Sequence, residues 1–281
     1  MDNPEALSFD REAARYDRVR PRYPAALFDD LIDLTGLKPG SRVLEIGAGT
    51  GIATRELAER GIAITALEPG PAMAALATRN LTSFPDVDIM VSSFEDWPLP
   101  VEPFDLVLSA TAFHWLDRAT RYVRSAAALR EGGHLAIIEY RHVAGGDDAF
   151  FSAAQKCYGR FVPGTSHDTR LPVWDRQPDT SEIDASPLFD LVAVRQFREE
   201  VSFSRDTYLD LLATYSGNLT LSTENRDRLF DCLGSLIDND FGGTIKKAYR
   251  HELILARRTH EQMPTLLRAN TAPIRPWPHG R

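Results

Sequence analysis

Cysteine is scarce: the 281 residues hold two, Cys157 and Cys232. They lie far apart and form no C-x-x-C pair, which argues against zinc ribbons and disulfide frameworks. Both are expected as free thiols, in the core or half buried. Apolar runs of membrane-spanning length are missing. The start, Met1-Asp2-Asn3-Pro4-Glu5, lacks the basic and apolar stretches of a secretory leader. These absences point to a cytoplasmic, reducing setting and to no membrane partner. Basic charge is short too. With 32 Lys and Arg against 40 Asp and Glu, the net charge is −8, the wrong sign for a chain that tracks phosphates, so no nucleic-acid partner is expected. No metal-ligand spacing, internal repeat or low-complexity tract is present. The oligomeric state leaves no signature.

What is present is organised around Arg42-Val43-Leu44-Glu45-Ile46-Gly47-Ala48-Gly49-Thr50-Gly51. Val43, Leu44 and Ile46 read as a strand buried on both faces. Three glycines at alternate positions let the backbone turn sharply and come close to a ligand. Ala53, Leu57 and Ala58 then show helical spacing. Dinucleotide enzymes use G-x-G-x-x-G for phosphate. Here an acid, Glu45, stands inside the strand end; it would repel a pyrophosphate and accept from an ammonium group. Ile62 to Leu67 reads as the next strand and ends at Glu68-Pro69. A carboxylate at that tip can accept from both ribose hydroxyls, or be a solvated strand-end charge.

Further strands are expected at Val87–Val91, Phe104–Ala110 and His134–Tyr140, the first two joined by a loop over Ser92–Pro100 and the last two by a helix. Pro71 starts one helix, whose apolar face includes Met73. Asp117 caps another, which stops at Gly132-Gly133. Five strands alternating with helices make a parallel α/β sheet. Ligands of such sheets lie beyond the carboxyl ends of the strands, where Glu45, Glu68, Ser93, Ala110 and Tyr140 all fall. Residues 141–188 break the alternation with Gly145-Gly146, Pro163-Gly164, Pro172 and Pro178 and read as an inserted cap. Strand character returns over Phe189–Phe203 and Ile245–Ala256, separated by a helix capped by Asp206 and a second over Thr223–Ile237. The expected divisions are a flap and cofactor core at 1–140, a cap at 141–188, the rest of the core at 189–259 and a tail at 260–281.

The E-x-G-x-G-x-G stretch closely resembles the first motif of class I S-adenosylmethionine-dependent methyltransferases. That resemblance implies a Rossmann-like, seven-stranded, mostly parallel sheet with an antiparallel last strand, and S-adenosyl-L-methionine as cofactor. It assigns the methionine part to Glu45, Gly47, Ala48 and Gly49, and the nucleoside to Glu68, Pro69 and Met73. The adenine clasp falls on Ser93, where the family often has aspartate, and on Phe94. Residues 16–24 (YDRVRPRYP) resemble the N-terminal segment of trans-aconitate-type methyltransferases, which closes over the cofactor; by that likeness Tyr16, Arg20 and Tyr23 contact cofactor or substrate. On its residues alone the segment is a flap over a carboxylate ligand or, as the alternative, a solvated arm. Arg20 suits a carboxylate. Phe113-His114-Trp115 resembles a post-strand motif of the same group. Residues 213–217 (ATYSG) resemble another, of no assigned role.

Methyl transfer is an in-line displacement, so the protein mainly orients its reactants and excludes water. His114 is the candidate base or acceptor-positioning group, and Trp115 the wall near the methyl; the bland alternative is that both merely pack a helix start. Ala110 lies beside them. Tyr140, Arg141, His142, Trp174 and Tyr215 are candidates for the acceptor side. The leading function is methyl transfer to a small-molecule acceptor, at carboxylate or hydroxyl oxygen or at nitrogen. The alternative is a repurposed, non-catalytic cofactor-binding protein on the same fold.

Overall fold

The computed structural model describes residues 12–162, 164, 171–219 and 221–260. The chain opens with α1 (Ala13–Val19) and α2 (Ala25–Thr35). Between them Pro21 disfavours helix at Arg20, which is extended at φ −66°, ψ 137°. There follow β1 (Arg42–Ile46), α3 (Ile52–Ala58), β2 (Ala63–Glu68), α4 (Pro71–Asn80), β3 (Val87–Val91) and β4 (Phe104–Ala110). The second half holds α5 (Arg121–Ala128), β5 (Leu129–Gly146), α6 (Asp148–Phe161), α7 (Ser181–Asp184) and β6 (Phe189–Ser204). It closes with α8 (Arg205–Ala213), α9 (Ser216–Leu219), α10 (Thr223–Asp240) and β7 (Thr244–Arg258).

The seven strands form one sheet in the order β3-β2-β1-β4-β5-β7-β6. β7 runs antiparallel to both of its neighbours, and β1 to β5 pair in parallel. This is the expected Rossmann-like architecture. β1 and β4 sit in the middle because their side chains are apolar on both faces. One core, with Leu27, Phe28 and Leu57, packs on one face of the sheet. A second, with Phe94, Phe104 and Phe113, packs on the other. A third lies under the late helices, where Phe150, Tyr208, Leu229 and Leu233 meet Tyr249.

Several glycines mark bulges rather than stops. β5 begins at Leu129, before Gly132-Gly133. A Cβ on Gly133 would sit 3.0 Å from the Arg130 carbonyl and 3.1 Å from that of Asp105, and the β4–β5 register shifts at this point. β5 also runs past Tyr140. At Gly146 a Cβ would stand 2.4 Å from the Lys246 carbonyl, so the expected start of the cap at 141 is strand instead. Helix starts move slightly. Ser204, not Asp206, caps α8, with Oγ accepting from the Thr207 N–H at 3.3 Å. α5 starts at Arg121, and the Asp117 carboxylate accepts from the Ala119 N–H one turn earlier.

The cysteines overturn an expectation. Cys157 on α6 and Cys232 on α10 are joined in a disulfide, with Cα atoms 5.9 Å apart. The pairing depends on two helices 75 residues apart packing side by side, which spacing along the chain does not reveal. The inference of a reducing compartment rested on free thiols and loses that ground. Among the described residues no helix is long and apolar enough to cross a membrane. Pro163 and the tail beyond His260 lie outside the described residues.

Candidate active site

A cavity of about 440 Å³ opens over the carboxyl ends of the parallel strands. Its floor is the glycine turn. Gly47 and Gly49 have φ of +71° and +59°, which suit glycine alone. Gly47 is needed for packing, since a Cβ there would lie 2.4 Å from the Ala112 Cβ. A Cβ on Gly49 would meet nothing within 4 Å, and this residue lines the cavity. Glu68, at the tip of β2, braces the turn. Its Oε2 accepts from the Gly49 N–H and its Oε1 from the Gly70 N–H, both at 2.8 Å.

Glu45 is 1% exposed and lines the same cavity. Its Oε2 has no hydrogen-bond partner among the described residues. Burial, opposed by the Thr54 hydroxyl and reinforced by the Glu68 charge, raises its carboxyl to about 7.

The roof comes from the N-terminal segment and the late helices. Arg15 and Arg18 on α1 pair with Asp210 on α8 at 3.1 and 2.8 Å. Arg20 donates from Nε to the Thr214 hydroxyl at 3.0 Å and from its terminal nitrogens to the Tyr140 hydroxyl and the Thr214 carbonyl, each at 2.7 Å. Its guanidinium stacks between the rings of Tyr16 and Tyr215, 4.6 and 4.9 Å from their centroids. The segment is thus a flap latched to the C-terminal part, not a solvated arm. Tyr23 hydrogen-bonds the Thr111 hydroxyl at 3.2 Å.

At the rim, His114 Nδ1 lies 3.2 Å from Glu139 Oε1, and Arg141 donates to Glu139 Oε2 at 2.9 Å. Burial opposes ionisation of Glu139. The His114 hydrogen bond and the charges of His114 and Arg141 outweigh it and hold the carboxyl below its usual range. His114 is half exposed and lies against Trp115, ring centroids 4.8 Å apart.

The expected cofactor residues Tyr16, Arg20, Glu45, Gly47, Ala48, Gly49, Glu68, Pro69, Met73, Ser93, Phe94, Ala110 and Trp115 all line this cavity, as do Tyr23, His114, Tyr140, Arg141 and Tyr215. Ser93 also turns its hydroxyl to Asp96 Oδ2 at 2.7 Å. Trp174 is a correction: it is not in the wall, and its carbonyl accepts from Arg250 at 3.0 Å. His142 is another. It points to Phe151, ring centroids 4.3 Å apart, and burial with the Lys247 charge pushes its imidazole down to about 2. Glu139 and Thr111 are among the wall residues that sequence reasoning missed. Glu139 reads as a strand interior residue, with no local cue to its partners. Thr111, at φ +56°, occupies a conformation that β-branched residues avoid.

Residues 44–137 match the methyltransferase domain family. An uncharacterized methyltransferase of Mycobacterium tuberculosis is 36% identical over 133 residues, 47% of this chain and 52% of the relative. Another, from a Geobacillus species, is 36% identical over 137 residues, 48% of this chain and 63% of the relative. The chain spans about half the length of the first curated relatives it matches. A solved structure of a candidate type II methyltransferase from Anaeromyxobacter dehalogenans aligns with TM-score 0.59 at 23% identity, over 85% of this chain and 97% of that one; at that identity the likeness speaks to fold. The matched segment contains the glycine turn, Glu68 and the His114–Trp115 rim, and so supports the class I methyltransferase resemblance.

Proposed function

We propose that the chain is an S-adenosylmethionine-dependent methyltransferase for a small-molecule acceptor, with oxygen, as carboxylate or hydroxyl, favoured over nitrogen. The observation that carries this is Glu45: a buried carboxylate in the cavity wall, beside a glycine whose open side is the cavity. That pair fits an amino-acid moiety with an ammonium group. Glu68, at the tip of β2, lines the same cavity and is the residue for the ribose hydroxyls, with Met73, Ser93 and Phe94 for the adenine. When bound, the cofactor supplies a sulfonium methyl group. Arg20 and Tyr16 close this end, in keeping with the trans-aconitate-type resemblance of their segment.

His114 is the acceptor-positioning group. Anchored through Nδ1 to an anionic Glu139, it leaves Nε2 for the acceptor. His114→Ala is expected to raise KM for the acceptor about tenfold or more, with a smaller change in kcat, as loss of a ground-state contact does. An unchanged KM would remove His114 from the site.

Calorimetry with S-adenosylhomocysteine, with NADH as the competing ligand, followed by labelled methyl transfer to acidic and phenolic metabolites, tests the function itself. Binding without transfer to any acceptor would favour the non-catalytic alternative, and NADH binding would refute the cofactor. The same measurement has a pH signature. Glu45 must be ionised to receive an ammonium group. With its carboxyl near 7 in the free protein, the ionised fraction rises about tenfold between pH 6 and 8, and affinity should rise with it. Glu45→Gln should flatten this slope. In the free protein the sign is opposite for folding: a raised carboxyl lowers stability as pH climbs from about 4.5 to 7.

A further inference from the structure

Beneath the cavity wall lies a buried charge with no carboxylate beside it among the described residues. Lys247 on β7 is 4% exposed, and among the described residues no carboxylate lies within ion-pair distance of its ammonium. That group donates to the Tyr215 hydroxyl at 3.0 Å and sits 5.2 Å from the ring centroids of both Tyr215 and Tyr249. On its other side the Tyr215 ring carries the Arg20 guanidinium at 4.9 Å. Tyr215 itself forms part of the cavity wall. An ammonium withdrawn from water is stabilised by an anion, and the hydroxyl it is hydrogen-bonded to, that of Tyr215, can become one.

We propose that Tyr215 is the general base of the transfer, its phenolate form favoured by Lys247 and Arg20, and that the acceptor is a hydroxyl compound that must lose its proton. This rests on the methyltransferase reading. The acceptor hydroxyl gives its proton to Tyr215 Oη while its oxygen bonds to the methyl carbon and the carbon–sulfur pair stays on sulfur. A phenolate and a sulfonium are consumed, and a phenol and a thioether formed, so charge balances. Lys247 does not touch the cavity and is a positioning residue. A carboxylate acceptor has no proton to lose and would leave this arrangement without use.

The surroundings agree. Burial alone would raise the Tyr215 phenol; the charges of Lys247 and Arg20, with the Lys247 hydrogen bond, outweigh it and set the group below the ordinary tyrosine value. The phenols that face it, Tyr140 from β5, Tyr158 from α6, Tyr208 from α8 and Tyr249 from β7, are all pushed up, by burial first. His142, facing Lys247 from β5, stays neutral. Tyr16 lies across Arg20 from it.

An ultraviolet titration of the ligand-free protein tests this without turnover. Of the eight tyrosines, one should ionise ahead of the main wave. Tyr215→Phe should remove that step, and Lys247→Met should move it to higher pH while Tyr215 remains in place. No early step in the wild type, or one that persists in Tyr215→Phe, overturns the proposal. In turnover of a phenolic acceptor, Tyr215→Phe should lower kcat about 100-fold or more and abolish the acid limb of the kcat–pH profile. An unchanged kcat in a variant that binds S-adenosylhomocysteine normally also overturns it. Loss of S-adenosylhomocysteine binding by the wild type would instead sink the methyltransferase reading, while the early tyrosine would still be seen.

Discussion

Gly49→Val is expected to leave a folded protein that no longer binds S-adenosylhomocysteine, with affinity down by a factor of about 100 or more in calorimetry. The physical reason is a pairing of open space and backbone shape. A side chain at position 49 enters the cavity rather than the core, so packing is spared while the ligand's place is taken. The positive φ of +59° adds roughly 1–2 kcal/mol of strain for a non-glycine residue. Gly47→Ala makes the informative contrast. Its φ is +71°, so the backbone penalty is similar, but its Cβ would collide with that of Ala112 at 2.4 Å. Overpacking of that kind costs about 1–3 kcal/mol more. The combined loss should lower Tm by something on the order of 10 °C. Two glycines in one turn thus separate by assay, one through binding and the other through melting. Equal melting losses with intact binding would show that the ligand does not lie along this turn.

Glu68→Ala has the second largest expected effect, and it falls on both assays. The carboxylate holds the N–H groups of Gly49 and Gly70 at 2.8 Å. Its removal strands two donors, at about 1–3 kcal/mol each when no water replaces it. The turn loses its brace, and the nucleoside loses its hydroxyl acceptor. Affinity for the cofactor should fall roughly 100-fold, whereas kcat at saturating cofactor should change far less, because the methyl lies away from the ribose. Glu68→Gln should recover part of the stability, since its amide oxygen can still accept one N–H. A variant whose kcat falls while cofactor affinity stays unchanged would place Glu68 at the chemistry instead.

Much of this was readable along the chain, and for a local reason. β1, β3 and β4 announce themselves by apolar runs bounded by turn residues. The glycines between Glu45 and Ile52 define a strand–turn–helix junction within about ten residues, so motif and geometry coincide. Sequential strands alternate with helices, which makes the sheet parallel. With the sheet given, the ends of its strands share one edge, and Glu45, Glu68, Ser93, Ala110 and Tyr140 come together there without further information.

The remaining features need partners distant in sequence. Glu139 has a local partner in Arg141, two residues on, but finds His114 only because β5 pairs beside β4 and the turn that follows it. Lys247 reaches Tyr215 because β7 runs antiparallel beside β5 and beneath α8 and α9. Trp174 looks like a pocket aromatic but lies outside the cavity wall, its main-chain carbonyl bound by Arg250. Cys157 and Cys232 read as two lone thiols until α6 and α10 pack together. By itself, then, the order of residues determined the sheet and the glycine-and-carboxylate floor of the site, because periodicity and turn chemistry act over a few residues. Only the tertiary structure decided which charges face each other across the roof, because register and helix packing set those distances and neither is written in local spacing.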